Sequence, residues 1–291
     1  LWSQSSSGTI SNNVLMANVT DTRVYNRNDG SQYIWISEAV AASSSSDVIE
    51  LWPGTYKENV VINKRLTIIG SGQSKTIVDG DYAASVFKFD NSQTDYSIIK
   101  NLRVSHSKTG TSSCSSASTY GGIHLYYSDH VTINNVHFFE TYNGLMTYAS
   151  TNLKVQNSTF DKGTVSGYYG MFICGTNGAT SSQSHYLIEN NEIKKYNIGI
   201  YLQALYEDID IYNNHIHNNS NRGIYINQVG YYIADDHLEI VGNQIVDNRY
   251  GLYKGTSSSY GRYVLFKDNL VKSNSDYGIY VSSSEDLTIK S

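Results

Sequence analysis

The chain has 291 residues, of which 40% are hydrophobic and only 16% charged, and its formal net charge is -5. That apolar share excludes global disorder, and a mild negative charge with no Lys/Arg cluster speaks against a nucleic-acid-binding face. No apolar run reaches the length of a membrane span, and the two cysteines, Cys114 and Cys174, form no metal-binding motif.

The chain opens at Leu1 without an initiator Met, as a mature or trimmed product would. Residues 1–30 are rich in Ser and Asn. Their one apolar-containing run, residues 14–19, suits either a linker or an extra strand laid along the rest. Residues 31–43 carry Ile36, Ala39 and Val40 on one side of a helical period, which predicts a short amphipathic helix. Short alternating segments follow at 48–51, 66–70 and 76–80, with Pro53-Gly54-Thr55-Tyr56-Lys57-Glu58 between the first two. Pro53 is the only proline, as suits a chain that is mostly hydrogen-bonded ladder.

From residue 99 onward one two-part unit recurs. Its first half, apolar-x-Asn-x-x-apolar, reads Ile99-Lys100-Asn101-Leu102-Arg103-Val104 and returns at 133–138, 155–160, 188–193 and 211–216. Gly242 and Asp268 replace the Asn in two further copies. Roughly ten residues on comes Gly-apolar-x-apolar, led by Gly122, Gly144, Gly170, Gly199, Gly223, Gly251 and Gly278. Successive glycines lie 22, 26, 29, 24, 28 and 27 residues apart. Coils of three short strands joined by variable turns tolerate that scatter. Propeller blades need longer units, and leucine-rich repeats a consensus absent here.

The repeat therefore predicts an all-β, single-stranded right-handed parallel β-helix over residues 31–291, with 1–30 as an N-terminal arm or linker strand. In such a solenoid Ile123, Leu145, Met171, Ile200, Ile224, Leu252 and Ile279 stack inside, one strand spacing apart. Asn101, Asn135, Asn157, Asn190 and Asn213 fall at a bend, where a left-handed backbone and amide-to-amide bonds make a structural ladder.

The opening order of helix, strand, PGTYxE, strand and Gly resembles the first coils of pectin methylesterases. Residues 31–291 resemble the pectate-lyase-like and NosD-like right-handed β-helix superfamily. That resemblance implies that the helix caps the N-terminal end of the core, which would otherwise leave an apolar edge open. The far end shows no cap: another coil begins at Leu287 and the sequence stops at Ser291, which predicts an uncapped C-terminal end.

The superfamily's catalytic motifs are missing. The Gln-Asp-Thr and Asp-Phe-x-x-Gly segments of pectin methylesterases are not found, nor is the Asp-Pro-His element of alginate epimerases. A single proline rules out the Arg-x-Pro-x-x-Arg segment of pectate lyases, and only Asp235-Asp236 echoes polygalacturonases. No cofactor or metal is called for. His137 and His215 fall three coils apart, about 14 Å, and His215 with His217 reads as a surface pair. Among sequons, Asn18 and Asn218 are the glycosylation candidates, whereas Asn157 belongs to the ladder and is expected to be buried there.

What remains is an outward aromatic column on the glycine-led strands: His124, Tyr126, Tyr148, Phe172, Tyr201, Tyr225, Tyr253 and Tyr280. It admits three readings: rings stacked on one another, a contact with another subunit or with residues 1–30, or a platform for sugar rings. Cys114 lies in an insertion entering this face and Cys174 on the face two coils on. A disulfide between them needs the insertion to fold across about 10 Å. The main functional expectation is an extracellular or cell-surface structural protein without catalysis. It would assemble with itself into a filament, sheath or surface layer through open ends, aromatic face or arm. The alternative is a polysaccharide-binding or polysaccharide-degrading β-helix using the stripe and the acids Glu140, Asp161 and Asp208.

Overall fold

The computed structural model describes residues 22–110, 120–175, 185–205, 208–229, 237–255, 264–282 and 287–291. Asn18, Cys114 and the Asp235-Asp236 pair lie outside the described residues. The chain is a parallel β-solenoid in which each coil supplies a first-face strand, a corner, a second-face strand, and a third-face strand led by the repeat glycine. The third face is one nine-stranded parallel sheet, from Val60–Ile62 to Tyr277–Val281. The first and second faces share a hydrogen-bonded system of 19 strands, because Ile98–Ser105 and Thr132–Phe139 run through the corner unbroken.

Period-two alternation explains which residues go inside. Ile123 pairs with Leu145, then come Met171, Ile200, Ile224, Leu252 and Ile279 in register. All but Ile279 are fully buried. On the second face Phe138 stacks on Phe160 with centroids 4.1 Å apart. Each fully buried side chain of this size contributes roughly 1.5–3 kcal/mol of transfer free energy, and the interior is one continuous cluster.

The repeat glycines have a backbone reason that is not a positive φ. A Cβ on Gly144 would lie 2.5 Å from the carbonyl oxygen of Gly170, and one on Gly170 2.6 Å from that of Gly199. Coil thus presses on coil where only a hydrogen fits.

The corner asparagines are left-handed, with φ between 52° and 59° at Asn101, Asn135, Asn157, Asn190 and Asn213. Their side chains do not form the expected continuous ladder. Asn135 donates to Asn101 Oδ1 at 2.9 Å, but Asn157, Asn190 and Asn213 point into solvent, so the Asn157 sequon is exposed. The ladder belongs to the next residue. The amide of Asn191 donates to Asn214 at 3.0 Å, Asn214 to Asn243 at 3.0 Å and Asn243 to Asn269 at 2.9 Å. Each of these three also donates to a strand carbonyl of the preceding coil. A second ladder, Asn219 to Asn248 to Asn274, follows Asn218, Asp247 and Ser273, which are left-handed in turn. The physical logic is a division of labour. A left-handed residue turns the chain outward, and its successor then points inward, where a buried amide needs partners that only its equivalents supply.

At the N-terminal end Val24–Asn26 pairs antiparallel with Val48–Leu51 and with Gln32–Tyr33. That hairpin uses up the start of the segment expected to be helical, and the helix is confined to Ile36–Ala42, with Ile36, Ala39 and Val40 buried. Its N-cap, Trp35, has no side-chain cap. Glu58 of the PGTYKE run supplies one from the first coil, accepting from Ile36 N at 2.7 Å, Ser37 N at 3.0 Å and Ser37 Oγ at 2.8 Å. Buried Tyr56 donates to the carbonyl of Arg23 or Trp52. Among the described residues no helix is long and apolar enough to cross a membrane.

Candidate functional site

The third-face stripe is a second core. His124, Met146, Phe172, Cys174 and Tyr201 are buried, with at most 8% of their surface exposed, although they point away from the interior. Met146, Phe172, Cys174 and Tyr201 form a cluster with Tyr169 and Ile198, and Tyr148 and Tyr225 pack on its edge. Phe172 stacks on Tyr201 at 4.8 Å and Tyr201 on Tyr225 at 4.6 Å; Tyr253 stacks on Tyr280 at 4.7 Å. The Arg222 guanidinium sits 4.3 Å from the Tyr225 ring centre and 4.1 Å from that of Tyr253. Tyr126 and Tyr148 stack at 5.5 Å. Desolvation lowers the His124 pKa to about 4 and raises that of Tyr201 to about 12. The centre of the stripe, His124, Phe172 and Tyr201, thus presents almost no open ring surface. Tyr126, Tyr148, Tyr225, Tyr253 and Tyr280 keep part of their surface.

The second face is different. Its outward positions are the second and fourth residues after each corner Asn. The first column runs Arg103, His137, Thr159, Glu192, His215 in register. The second runs Asp79, Ser105, Phe139, Asp161, Lys194, His217. The following turn adds His106, Glu140 and Lys195, all left-handed. Parallel register thus lays an almost unbroken row of ionisable side chains along six coils.

Three groupings organise the row. His106 lies between two carboxylates, Nδ1 2.9 Å from Asp79 and Nε2 3.2 Å from Glu140. Carboxylates only accept, so the ring must donate from both nitrogens to hold both. Glu140 is also bonded by Thr164 at 3.1 Å. Desolvation would raise its pKa, but the bonds from His106 and Thr164 outweigh it and hold the group below the usual range. Asp161, nearly buried, accepts from Gly163 N at 2.8 Å and faces Lys195 at 3.0 Å and Lys194 at 3.8 Å. These donors hold its pKa low against desolvation. Lys194 in turn bonds Glu192 at 2.9 Å.

Between these groups lies a patch whose polar atoms lack partners. Among the described residues, several buried side-chain nitrogen or oxygen atoms have no hydrogen bond. Three of them, Arg103 Nε, Ser105 Oγ and His137 Nε2, belong to this one face on two adjacent coils. Phe139 completes the patch, with the Arg103 guanidinium 5.2 Å from its ring centre and the His137 ring at 5.5 Å. Desolvation, with the Arg103 charge, pushes the His137 pKa down, so its imidazole is neutral near pH 7.

Of the acids singled out in the sequence, Glu140 and Asp161 meet on this face. Asp208 does not: it lies on the first face, 3.1 Å from His237. Arg103 and Ser105, Phe139, and Lys194 carry no signal along the chain because their three coils lie tens of residues apart. Aligning the copies beneath one another on the corner Asn brings them into view. Cys174 is buried, and its proposed partner Cys114 is outside the described residues. Asn218 is exposed beside His217, its amide 2.7 Å from Nδ1.

Fold and site together define a β-solenoid carrying a polar row on one face. The model of the right handed beta helix region matches residues 121–291, more than half of the chain, and the chain belongs to that family. No curated protein sequence matches it. Among solved structures it is similar to the A-module of mannuronan C-5 epimerase AlgE4 from Azotobacter vinelandii, at 16% identity and a TM-score of 0.45, covering 87% of this chain and 89% of that one. An alginate lyase from Paenibacillus sp. str. FPU-7 is similar at 15% identity and a TM-score of 0.45, covering 87% of this chain and 86% of that one. A pectin methylesterase from carrot is similar at 14% identity and a TM-score of 0.45, covering 88% and 86%. Such identities concern fold alone.

Proposed function

We propose that the protein is a secreted or surface-exposed polysaccharide-binding β-helix, and that the second-face patch around Arg103, Ser105, His137 and Phe139 takes an acidic sugar. The carrying observation is the concentration of three unpartnered buried polar atoms beside one aromatic ring. Each such atom costs about 1–3 kcal/mol in a folded chain. Arg103 and His137 are partly exposed, and a bound ligand towards whose oxygens their side chains turn recovers that cost. A uronate carboxylate supplies those oxygens, the pyranose ring suits Phe139, and Lys194 and Lys195 extend the positive donors to the next sugar unit.

Self-assembly has less behind it. Of the three contacts expected for it (open ends, aromatic face, N-terminal arm), the aromatic face is buried at its centre within the chain itself. The helix Ile36–Ala42, held by Glu58, serves in this reading as the cap of the first coil. A catalytic role draws on one further observation, the neutral His137 beside Arg103, a base next to a carboxylate-binding cation.

Affinity electrophoresis against polygalacturonate, alginate and a neutral glucan tests the proposal. Retardation by uronate polymers, weakened at least about tenfold in Arg103→Ala, is the expected result. Equal retardation by the neutral glucan, or an Arg103→Ala variant indistinguishable from wild type, overturns it. Following absorbance of unsaturated uronates in the same samples separates binding from lyase chemistry.

A further inference from the structure

At the C-terminal end of the polar row three side chains converge that the sugar patch does not use. His215 and His217 are alternate residues of one second-face strand, so both point outward. Their rings stack with centroids 4.0 Å apart and planes 16° apart. Glu192, the register partner of His215 on the preceding coil, reaches diagonally to His217, with Oε1 3.2 Å from Nε2. One ligand atom from each of the three lies within 4.8 Å of the other two.

We infer that Glu192, His215 and His217 form a binding site for a divalent transition-metal ion of the Zn2+ or Cu2+ kind. Two imidazole nitrogens and one carboxylate oxygen are a donor set that Zn2+ and Cu2+ take readily. Ca2+ and Mg2+ prefer oxygen throughout. A strand suits this role, because its alternate residues project side by side and bring the rings together before any ion arrives.

The surroundings fit an ion as well as the ligands do. Among the described residues no hydrogen bond engages the ring of His215. The Nδ1 of His217 is held by the Asn218 amide at 2.7 Å, leaving Nε2, the nitrogen nearer Glu192, to face the ion. Rotation of that amide lets its oxygen accept from Nδ1–H, the outer-shell bond that orients a ligating imidazole.

Lys194 holds the position of the cation at present, bonded to Glu192 Oε1 at 2.9 Å. It also lies 3.8 Å from Asp161, so a displaced ammonium has a second carboxylate to turn to. All three ligands are partly exposed, which leaves a coordination position for water.

The test is calorimetric titration of the full, tag-free chain, stripped with chelator, using Zn2+, Cu2+, Ca2+ and Mg2+ separately. One Zn2+ or Cu2+ per chain is expected, with no saturable Ca2+ or Mg2+ binding. In register, His215 faces Gln244 and His217 faces Val246 on the next coil. His215→Gln and His217→Val therefore copy residues these columns already hold, and circular dichroism should confirm unchanged folding. Each should weaken Zn2+ binding at least about tenfold. Lys194→Met should tighten it by removing the competing charge. Cu2+ bound to wild type should show electron-paramagnetic coupling to two imidazole nitrogens, reduced to one in either variant. No stoichiometric binding, unaltered affinity in both histidine variants, or weaker binding in Lys194→Met overturns the assignment.

Discussion

The second and third faces are built by the same coils, from strands of the same alternation, yet they solve opposite problems. On the third face the outward side chains are mostly rings that pack on one another: Phe172, Tyr201 and Tyr225 stack, and Arg222 covers two tyrosines, with His124 Nε2 and Arg222 Nε left without a partner among the described residues. On the second face the outward side chains are ionisable, and Arg103, Ser105 and His137 keep atoms that nothing among the described residues satisfies. A solenoid's coil is thus indifferent to what its outer positions carry. One face can serve stability and another recognition without either disturbing the interior.

The contrast breaks if a third-face substitution proves cheap. Phe172→Ala removes a fully buried ring and is expected to cost about 3–5 kcal/mol by urea unfolding. A loss under about 1 kcal/mol would show that the stripe is not a second core.

His124 sharpens the comparison through pH. Its folded pKa, depressed to about 4, lies below the ordinary value of 6.5. The neutral ring's contribution is complete above pH 6.5. It is lost as pH falls towards 4, because the unfolded chain takes a proton that the buried ring refuses. The loss amounts to about 3 kcal/mol between those limits. His124→Met copies Met146, its register partner on the next coil, and should flatten that part of the stability profile relative to wild type. Parallel profiles for the two proteins would count against burial as the cause.

Arg103→Ala should show the reverse pattern, with uronate binding weakened at least about tenfold and unfolding stability lowered by no more than about 1 kcal/mol, since the unpartnered Nε leaves with the side chain. Smallest of all, Tyr253→Ala trims a partly exposed ring near the end of the stripe. It should cost no more than about 1 kcal/mol, readable as a shift of the urea midpoint.

The solenoid was legible because strand period and glycine spacing are local signals repeated seven times, and the interior column from Ile123 to Ile279 lies where that pattern puts it. The ladder was legible only in part. Asn190 and Asn191 look alike in sequence, and only the backbone decides which of them turns the corner and which faces inward. Ring exposure was illegible for another reason: alternation says that Phe172 points outward, but not what lies over it. The polar row was written in the sequence across coils instead of along them, so no motif search along the chain meets Arg103 beside His137.

The asparagine ladders carry one more consequence. Every amide from Asn191 to Asn243 donates forward to the next coil and backward to a strand carbonyl, so all point the same way. Aligned amides polarise one another. A load applied between the ends of the molecule would pass through these bonds in series, each coil carrying the whole of it. Under tension such a rod should not stretch evenly. It should shed coils singly from an end, where an amide has lost its neighbour on one side, and lengthen in steps of one repeat.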